Sequence, residues 1–353
     1  MANPPKTAVQ LAVPTVVTAV AIAVVTAVVT VVAIVASGHA AATKQSVPPA
    51  RDAKASRAVC FFPYNTDTNR YQPRNEDVMA IPHVTFNNGL TMPQIGLGTW
   101  PLKDDNAAPV IADAIAAGYR HIDTAYRYGN QRGVGLGVKQ SGIAREELFI
   151  TTKLDGEFQG GNKAVAGLDA CLHQLGMEYV DLLLIHWPLP QRNEYVSTWR
   201  TFEALVATGK VRSIGVSNFK PAHLDHLLTE TTIRPVANQI QLNPQITQTD
   251  HVAYDRAHHI ITVSWSPLGQ GNSLLSHATL AALAQKYAKT PAQIVLRWNI
   301  ELGLVPIPKS ANPERLRQNL AIFDFALTPA EVAAISALDD GSVQRANSDV
   351  DGH

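Results

Sequence analysis

Four side chains of this sequence have the types needed to manage a proton on a carbonyl oxygen: Asp123, Tyr128, Lys153 and His186. A free phenol has a pKa of about 10, too high for efficient proton transfer near neutrality. An ammonium such as Lys153 beside it favours phenolate and lowers that pKa, and Asp123 would keep the lysine charged and in place. His186 adds a neutral donor that can orient a carbonyl. The set holds no nucleophile and no second carboxylate, so it suits neither nucleophilic catalysis nor glycoside hydrolysis. Each residue alone also has a plain structural reading: a capped strand end, a packed loop tyrosine, a rim salt bridge, a core histidine.

A carbonyl held by an acid needs a reductant, and other residues could seat one. Trp265, in Ser-Trp-Ser-Pro-Leu-Gly-Gln-Gly, could stack a flat ring, and the loop after it offers backbone N–H groups to a diphosphate. Lys309 and Ser310 precede a helix that starts at Pro313 and carries Arg315 in its first turn. Two cations and a hydroxyl at a helix N-terminus suit a phosphate.

These residues need elements that bring them together. Short strands are read at Ile95 to Thr99, Tyr119 to Asp123, Leu148 to Lys153, Val180 to His186, Val211 to Val216, Pro235 to Gln239, Ile260 to Trp265 and Leu304 to Pro308. Amphipathic helical stretches alternate with them, including a double one from Leu275 to Ile300, and a final helix covers Pro329 to Leu338. Eight strand-helix units fit a closed parallel (β/α)8 barrel, an α/β fold. An open doubly wound sheet is the alternative, weakened because Gly133, Gly135 and Gly137 have the wrong spacing for a dinucleotide turn and sit inside a helix. Asn88-Gly89 between alternating residues predicts a two-residue hairpin before the barrel.

In a barrel the C-terminal ends of all strands meet on one face. Here a candidate stands at every end: Trp100; Asp123 with Tyr128; Lys153; His186 with Trp187; Ser217 with Asn218; Gln239; Trp265; Lys309 with Ser310. Trp100 and Trp187 predict an apolar-walled pocket. His223 and His226 have a metal-like spacing but no third ligand, and are read as a solvated helix face.

The 353 residues have zero formal net charge and no basic run in the body, which excludes a nucleic-acid partner. Cys60 and Cys171 lack any metal-ligand spacing, and Cys171 falls on a buried helix face. Residues 1–45 form an apolar Val/Ala-rich segment whose stretch Val16 to Ala36 could span a bilayer or serve a signal peptide. Residues 46–78 read as a disordered linker. A start at Met79, with the upstream part a gene-model artefact, is a further reading. Membrane association is expected only if residues 16–36 are real and retained; otherwise the expectation is cytoplasmic.

The blocks Gly-Tyr-Arg-His-Ile-Asp-Thr-Ala with Tyr-Gly-Asn, Ile-Thr-Thr-Lys, Val-Asp-Leu-Leu-Leu-Ile-His-Trp-Pro, Ser-Ile-Gly-Val-Ser-Asn-Phe, Asn-Gln-Ile, Trp-Ser-Pro-Leu-Gly and Ile-Pro-Lys-Ser resemble the aldo-keto reductase superfamily. The likeness runs from about Thr85 to Asp340 and is nearest in flavour to bacterial 2,5-diketo-D-gluconate reductase-like members, which carry tryptophan where Trp265 stands. It implies a barrel over residues 79–340, a tail from 341 to 353, and an NADPH-dependent, monomeric reductase of aldehydes and ketones with no metal. Tyr128 would be the general acid, Lys153 and Asp123 would tune it, and His186 would orient the carbonyl. Ser217, Asn218 and Gln239 would hold the nicotinamide carboxamide, with Trp265 stacked on the ring. Ser266, Leu268 and Gly269 would line the diphosphate, Lys309, Ser310 and Arg315 the 2′-phosphate, and Asn319 the adenine. Gln131 and Gln318 stand where glutamate is common in the family. A cofactor-binding regulatory or membrane-associated subunit with little turnover is the alternative that the resemblance also implies.

Overall fold

The computed structural model describes residues 81–353 apart from Asn272. The expectations for residues 1–45, for the linker 46–78, for Met79 and for Cys60 lie outside the described residues. A hairpin of β1 (His83–Thr85) and β2 (Thr91–Pro93) precedes the barrel. It is not the two-residue turn expected. Gly89 N–H donates to Phe86 O and Phe86 N–H to Leu90 O, so Asn87 and Asn88 are the central turn residues. Gly89 follows them at φ 84, which makes a bulged three-residue loop.

Eight parallel strands follow in sequential order: β3 (Leu97–Gly98), β4 (His121–Asp123), β5 (Phe149–Leu154), β6 (Val180–Ile185), β7 (Val211–Ser217), β8 (Ala237–Gln241), β9 (Ile261–Trp265) and β10 (Val305–Pro306). Gly96 N–H donates to Pro306 O at 3.0 Å and Gly98 N–H to Pro308 O at 3.1 Å, which joins the first strand to the last and closes the barrel. Only glycine fits at residue 98, because a Cβ there would lie 2.7 Å from Ile307 O.

The helices α1 (Asp104–Ala117), α2 (Gln131–Gln140), α3 (Lys163–Leu175), α4 (Tyr195–Val206), α5 (Pro221–Glu230) and α6 (Thr249–Ala257) return the chain between strands. After β9 come α7 (Ala278–Tyr287) and α8 (Pro291–Glu301), then α9 (Pro313–Leu320) and α10 (Pro329–Ser336). The Thr-Pro starts behave as their chemistry requires. Thr290 accepts from Gln293 N–H and Thr328 from Glu331 N–H, each with proline at the first turn. The glycines of α2 serve close packing. A Cβ at Gly133 would lie 2.2 Å from Asp104 O, and one at Gly137 2.5 Å from Ala108 O, so α2 rests directly on α1.

Strand parity sorts the side chains into two environments, since successive residues face opposite sides. Ile122, Ile150, Leu154, Leu183, Ile185, Ile214 and Val216 face the helices and build the outer core. On the other parity, Phe149, Leu182, Leu184, Ala237, Val263 and Val305 fill the lower barrel together with Phe86 and Met92 from the hairpin. Higher on the same parity stand Lys153, Asp123, Gln239 and Trp265. Apolar side chains plug the floor and polar ones reach the upper end. Among the described residues no helix is long and apolar enough to cross a membrane.

One buried carboxylate outside the site should make the stability of the fold depend on pH. Asp255 of α6 accepts from Asn238 Nδ2 at 3.2 Å and from Thr262 Oγ1 at 2.9 Å, tying α6 to β8 and β9. Burial, against these two hydrogen bonds, pushes its pKa up to about 7. The folded chain therefore holds this proton more tightly than the unfolded one. Its contribution is complete below pH 4 and is lost as pH rises towards 7. Asp255→Asn should remove that loss, worth up to about 4 kcal/mol. Urea unfolding at pH 5 and pH 8 checks it: the difference between wild type and variant must change with pH in the variant's favour at pH 8.

Candidate active site

The site forms where the inward parity ends in polar groups. Lys153, on β5, is 1% exposed, and its Nζ donates to Asp123 Oδ1 at 2.5 Å, to Thr124 O at 3.0 Å and to Tyr128 Oη at 3.3 Å. Burial alone would strip this ammonium of its proton, but Asp123 and the phenol outweigh it and hold the lysine pKa above its ordinary value. Burial likewise pushes Asp123 up against the pull of Lys153, and the two share their titration as a pair. With three acceptors around Nζ, we assign the pair as ammonium and carboxylate. Asp123 Oδ2 is taken by Gln239 Nε2 at 2.7 Å.

Tyr128 reaches Lys153 from a single 3₁₀ turn, Tyr126–Tyr128, closed by Gly129 at φ 63. Fully buried Asn130 pins that turn. It accepts from Thr124 Oγ1 at 2.9 Å and donates to Thr99 O and Leu102 O. The sequence Tyr-Gly-Asn is thus a donor, a reversal and an anchor. Burial raises the Tyr128 pKa, and Lys153 only partly offsets it. The net lowering expected from the sequence does not occur, because desolvation of phenolate exceeds the stabilisation that the ammonium supplies. The phenol is held protonated.

His186 follows β6 and is fixed through its backbone, whose carbonyl accepts from Asn218 Nδ2 at 3.0 Å. Its ring lies edge-on to Tyr128, with centroids 5.7 Å apart, and its Nδ1 has no partner among the described residues. Burial, helped by the charge of Lys153, drives its pKa well below the usual histidine value, so it is neutral. A protonated phenol, a fixed cation behind it and a neutral imidazole beside it can bind a carbonyl oxygen and protonate it as negative charge develops.

The remaining candidates fall into two groups. Ser217, Asn218, Gln239 and Trp265 form one network: Ser217 Oγ donates to Gln239 O at 2.9 Å, and Trp265 Nε1 to Asn218 Oδ1 at 2.9 Å. Gln239, expected to meet a ligand, has its amide nitrogen committed to Asp123. Ser266 and Gly269 bracket a tight turn with φ 51 and 74, in which Gly269 N–H donates to Ser266 O. Leu268, Lys309, Ser310, Arg315, Gln318 and Asn319 line a cavity of about 830 Å³. The helix N-terminus there is capped, since Asn312 Oδ1 accepts from the N–H groups of Glu314 and Arg315. Lys309 and Arg315 have no carboxylate partner among the described residues.

The two residues that stand in place of glutamate have neutral work. Gln131 is fully buried, accepts from Thr152 Oγ1 and donates to Gln174 Oε1, which needs both halves of an amide. Gln318 donates to Glu314 one turn back. Of the wall residues, Trp100 is 52% exposed just beyond β3, and Trp187 is partly buried with its carbonyl accepting from Gln159 Nε2. His223 is not on a solvated face. It is buried, accepts from Lys220 N–H through Nδ1 and meets Asp349 of the tail at 3.2 Å. Burial keeps Cys171 a thiol, with its pKa pushed up to about 11.

Two residues of the site escaped the sequence reading. Asp155 lies just past β5 on the parity of Lys153, so the strand-end rule could have found it. His353 arrives from the C-terminal tail, and no local pattern announces it. Its ring centroid lies 4.8 Å from that of His186, and its main-chain oxygen accepts from Gly156 N–H at 3.1 Å. Lys220 Nζ holds the tail by donating to Asn347 Oδ1 at 2.6 Å and Asp349 Oδ2 at 2.5 Å.

A closed (β/α)8 barrel with an Asp-Tyr-Lys-His cluster at the strand ends defines a class of carbonyl-handling proteins, and comparison with known proteins agrees. The Aldo/keto reductase family profile matches residues 94–340. An aldo-keto reductase of Mycobacterium sp. (strain KMS) is 44% identical over 264 residues, 75% of this chain and 95% of the relative. Methylglyoxal reductase DkgA of Yersinia pestis is 46% identical over 261 residues, 74% of this chain and 94% of the relative. Among solved structures, a Gox0644 variant in complex with NADPH superposes with a TM-score of 0.74 at 39% identity, covering 78% of this chain and all of that one. The chain belongs to the aldo/keto reductase family and is an oxidoreductase.

Proposed function

We propose that this protein reduces aldehydes and ketones to alcohols with NADPH, and that Tyr128 protonates the carbonyl oxygen. The observation that carries the reading is the buried Lys153, bonded at once to Asp123 and to the Tyr128 phenol beside a neutral His186. When bound, NADPH supplies the hydride to the carbonyl carbon. Tyr128 and His186 hold the carbonyl oxygen between them and polarise it. Tyr128 gives up its proton as charge grows there, and Lys153 stabilises the phenolate that remains. Asp123, fixed by Gln239, keeps Lys153 charged and stationary.

The cofactor reading rests on the chain's own residues. The cavity of about 830 Å³ beside α9 carries two cations without carboxylate partners among the described residues, a setting that fits a phosphate. Lys309, Ser310 and Arg315 would take a 2′-phosphate and Asn319 would face the adenine. The partly buried Trp265 indole would stack on the nicotinamide, with Ser217 and Asn218 beside it. The NADPH named with the Gox0644 structure supports the same assignment. A monomer is part of the same reading, and size-exclusion chromatography with light scattering tests it. A cofactor-binding subunit with little turnover is the other reading, and the complete proton-donating cluster speaks against it.

Oxidation of NADPH, followed by its absorbance, should accompany reduction of carbonyls by the full chain. Methylglyoxal, named for the Yersinia relative, is the first substrate to try. Cofactor bound without turnover across a broad panel of aldehydes and ketones would defeat the proposal. Arg315→Ala should weaken NADPH binding about tenfold or more while changing NADH binding less than about twofold, as removal of a charged hydrogen bond predicts. Equal losses for both cofactors would remove the phosphate assignment.

A further inference from the structure

Every hydrogen-bonding atom of the fully buried Asn130 side chain is in use, one oxygen that accepts and an NH2 group that donates twice. Oδ1 accepts from Thr124 Oγ1 at 2.9 Å, and Nδ2 donates to Thr99 O at 3.2 Å and to Leu102 O at 3.1 Å. Aspartate has the same shape but no proton to give either carbonyl.

The segments these bonds join are the ones the reaction needs. Thr99 and Leu102 bracket Trp100, and Leu102 N–H donates to Thr99 O at 2.8 Å to close the turn after β3. Thr124, the third partner, also offers its carbonyl to Lys153 Nζ at 3.0 Å. Tyr128 stands two residues before Asn130, across Gly129 in the left-handed region at φ 63. One side chain thus lies between the proton donor, a ligand of its cation and the turn that carries Trp100, which is 52% exposed. The same two loops are tied again further on, where Gly133 N–H donates to Asp104 Oδ1 at 2.7 Å. Little slack is left at the acid. The Tyr128 Oη to Lys153 Nζ distance is already 3.3 Å, so a small rotation of the tyrosine turn would break that contact.

We propose that Asn130 is a positioning residue that fixes the Tyr128 turn and the Trp100 turn against each other, and so sets both the rate of proton transfer and the acceptance of a bulky group beside the carbonyl. This rests on the carbonyl-reducing reading of the Tyr128 site and adds a residue that acts through two others.

The test compares methylglyoxal with phenylglyoxal, in which phenyl replaces methyl beside the same reacting aldehyde. Rates are taken per cofactor-binding site in wild type, Asn130→Ser, Trp100→Ala and the double variant, so that loss of folded protein drops out. Asn130→Ser should lower kcat for methylglyoxal about tenfold to a hundredfold with little change in KM, as misplacement of a reacting group predicts. Phenylglyoxal should lose about threefold to tenfold more in kcat/KM, the worth of an aromatic contact that a freed Trp100 no longer makes. In the Trp100→Ala background that extra loss should vanish. A kcat within twofold of wild type, a phenyl-to-methyl ratio that does not fall, or a fall of the same size without Trp100 overturns the proposal. Should Asn130→Ser fail to fold, Thr124→Val frees only the acid side: kcat should fall with the ratio unchanged, and an unchanged kcat sinks the idea. If wild type reduces neither aldehyde, the carbonyl-reducing reading fails instead. Fluorine NMR of protein labelled with 5-fluorotryptophan then reads the coupling without turnover, the Trp100 signal being assigned with Trp100→Phe. Asn130→Ser should shift or broaden that signal and leave those of Trp199 and Trp298, both 0% exposed, in place. A Trp100 signal that stays unmoved defeats the proposal.

Discussion

Tyr128→Phe should lower kcat/KM for carbonyl reduction by about a hundredfold to ten-thousandfold, the range for loss of a positioned general acid. Phenylalanine keeps the ring edge that meets His186 and removes only the oxygen that faces Lys153 Nζ. Folding and cofactor affinity should change little, so the loss belongs to the proton. The pH profile gives an independent reading. Burial holds the phenol pKa above its ordinary value, so the donor is loaded throughout the neutral range and wild-type reduction should be flat there, falling only on the alkaline side. Alcohol oxidation needs the phenolate and should rise with pH over the same range. His186 is already neutral, so its protonation supplies no acidic limb near neutrality. Steady-state rates from pH 5 to 10 in both directions test this. A variant that keeps full activity, or a wild type whose reduction collapses near neutral pH, would place the acid elsewhere.

Lys153→Met should destabilise the fold by about 3–5 kcal/mol as well as abolish most of the activity. The cause is the partner left behind. Asp123 is 1% exposed and, among the described residues, has only Gln239 as its other side-chain donor, so without the ammonium its charge is buried nearly unpaired. Removing both charges should be milder than removing one. The double variant Asp123→Asn/Lys153→Met should recover part of the lost stability without recovering the reaction, since no cation then stabilises the phenolate. Urea denaturation of wild type, both single variants and the double variant completes the cycle. Additive losses would mean that the 2.5 Å contact carries no coupling and serves only as packing.

Most of the barrel could be read from the chain because the same local event repeats. Each β-strand's apolar run, its polar end and the amphipathic helix after it are local features. The tetrad was legible for the same reason: its four members stand at or just after successive strand ends. The Asn88-Gly89 loop misled because the preference of Asn-Gly for a two-residue turn competes with register, and the strands pair His83 with Pro93. Register is a property of both strands together.

What the sequence determined alone is the order of elements and the identity of the reactive groups, since propensity, alternation and capping act over a few residues. Tertiary structure decided everything that depends on distance and burial. It set the protonation of Tyr128, because desolvation depends on what surrounds the ring. It turned the nitrogen of Gln239 from a ligand contact into a brace for Asp123. It also brought His353 to within 4.0 Å of Asp155 across about two hundred residues of chain, a closeness that no local pattern encodes because it is fixed by where the barrel lets the tail lie.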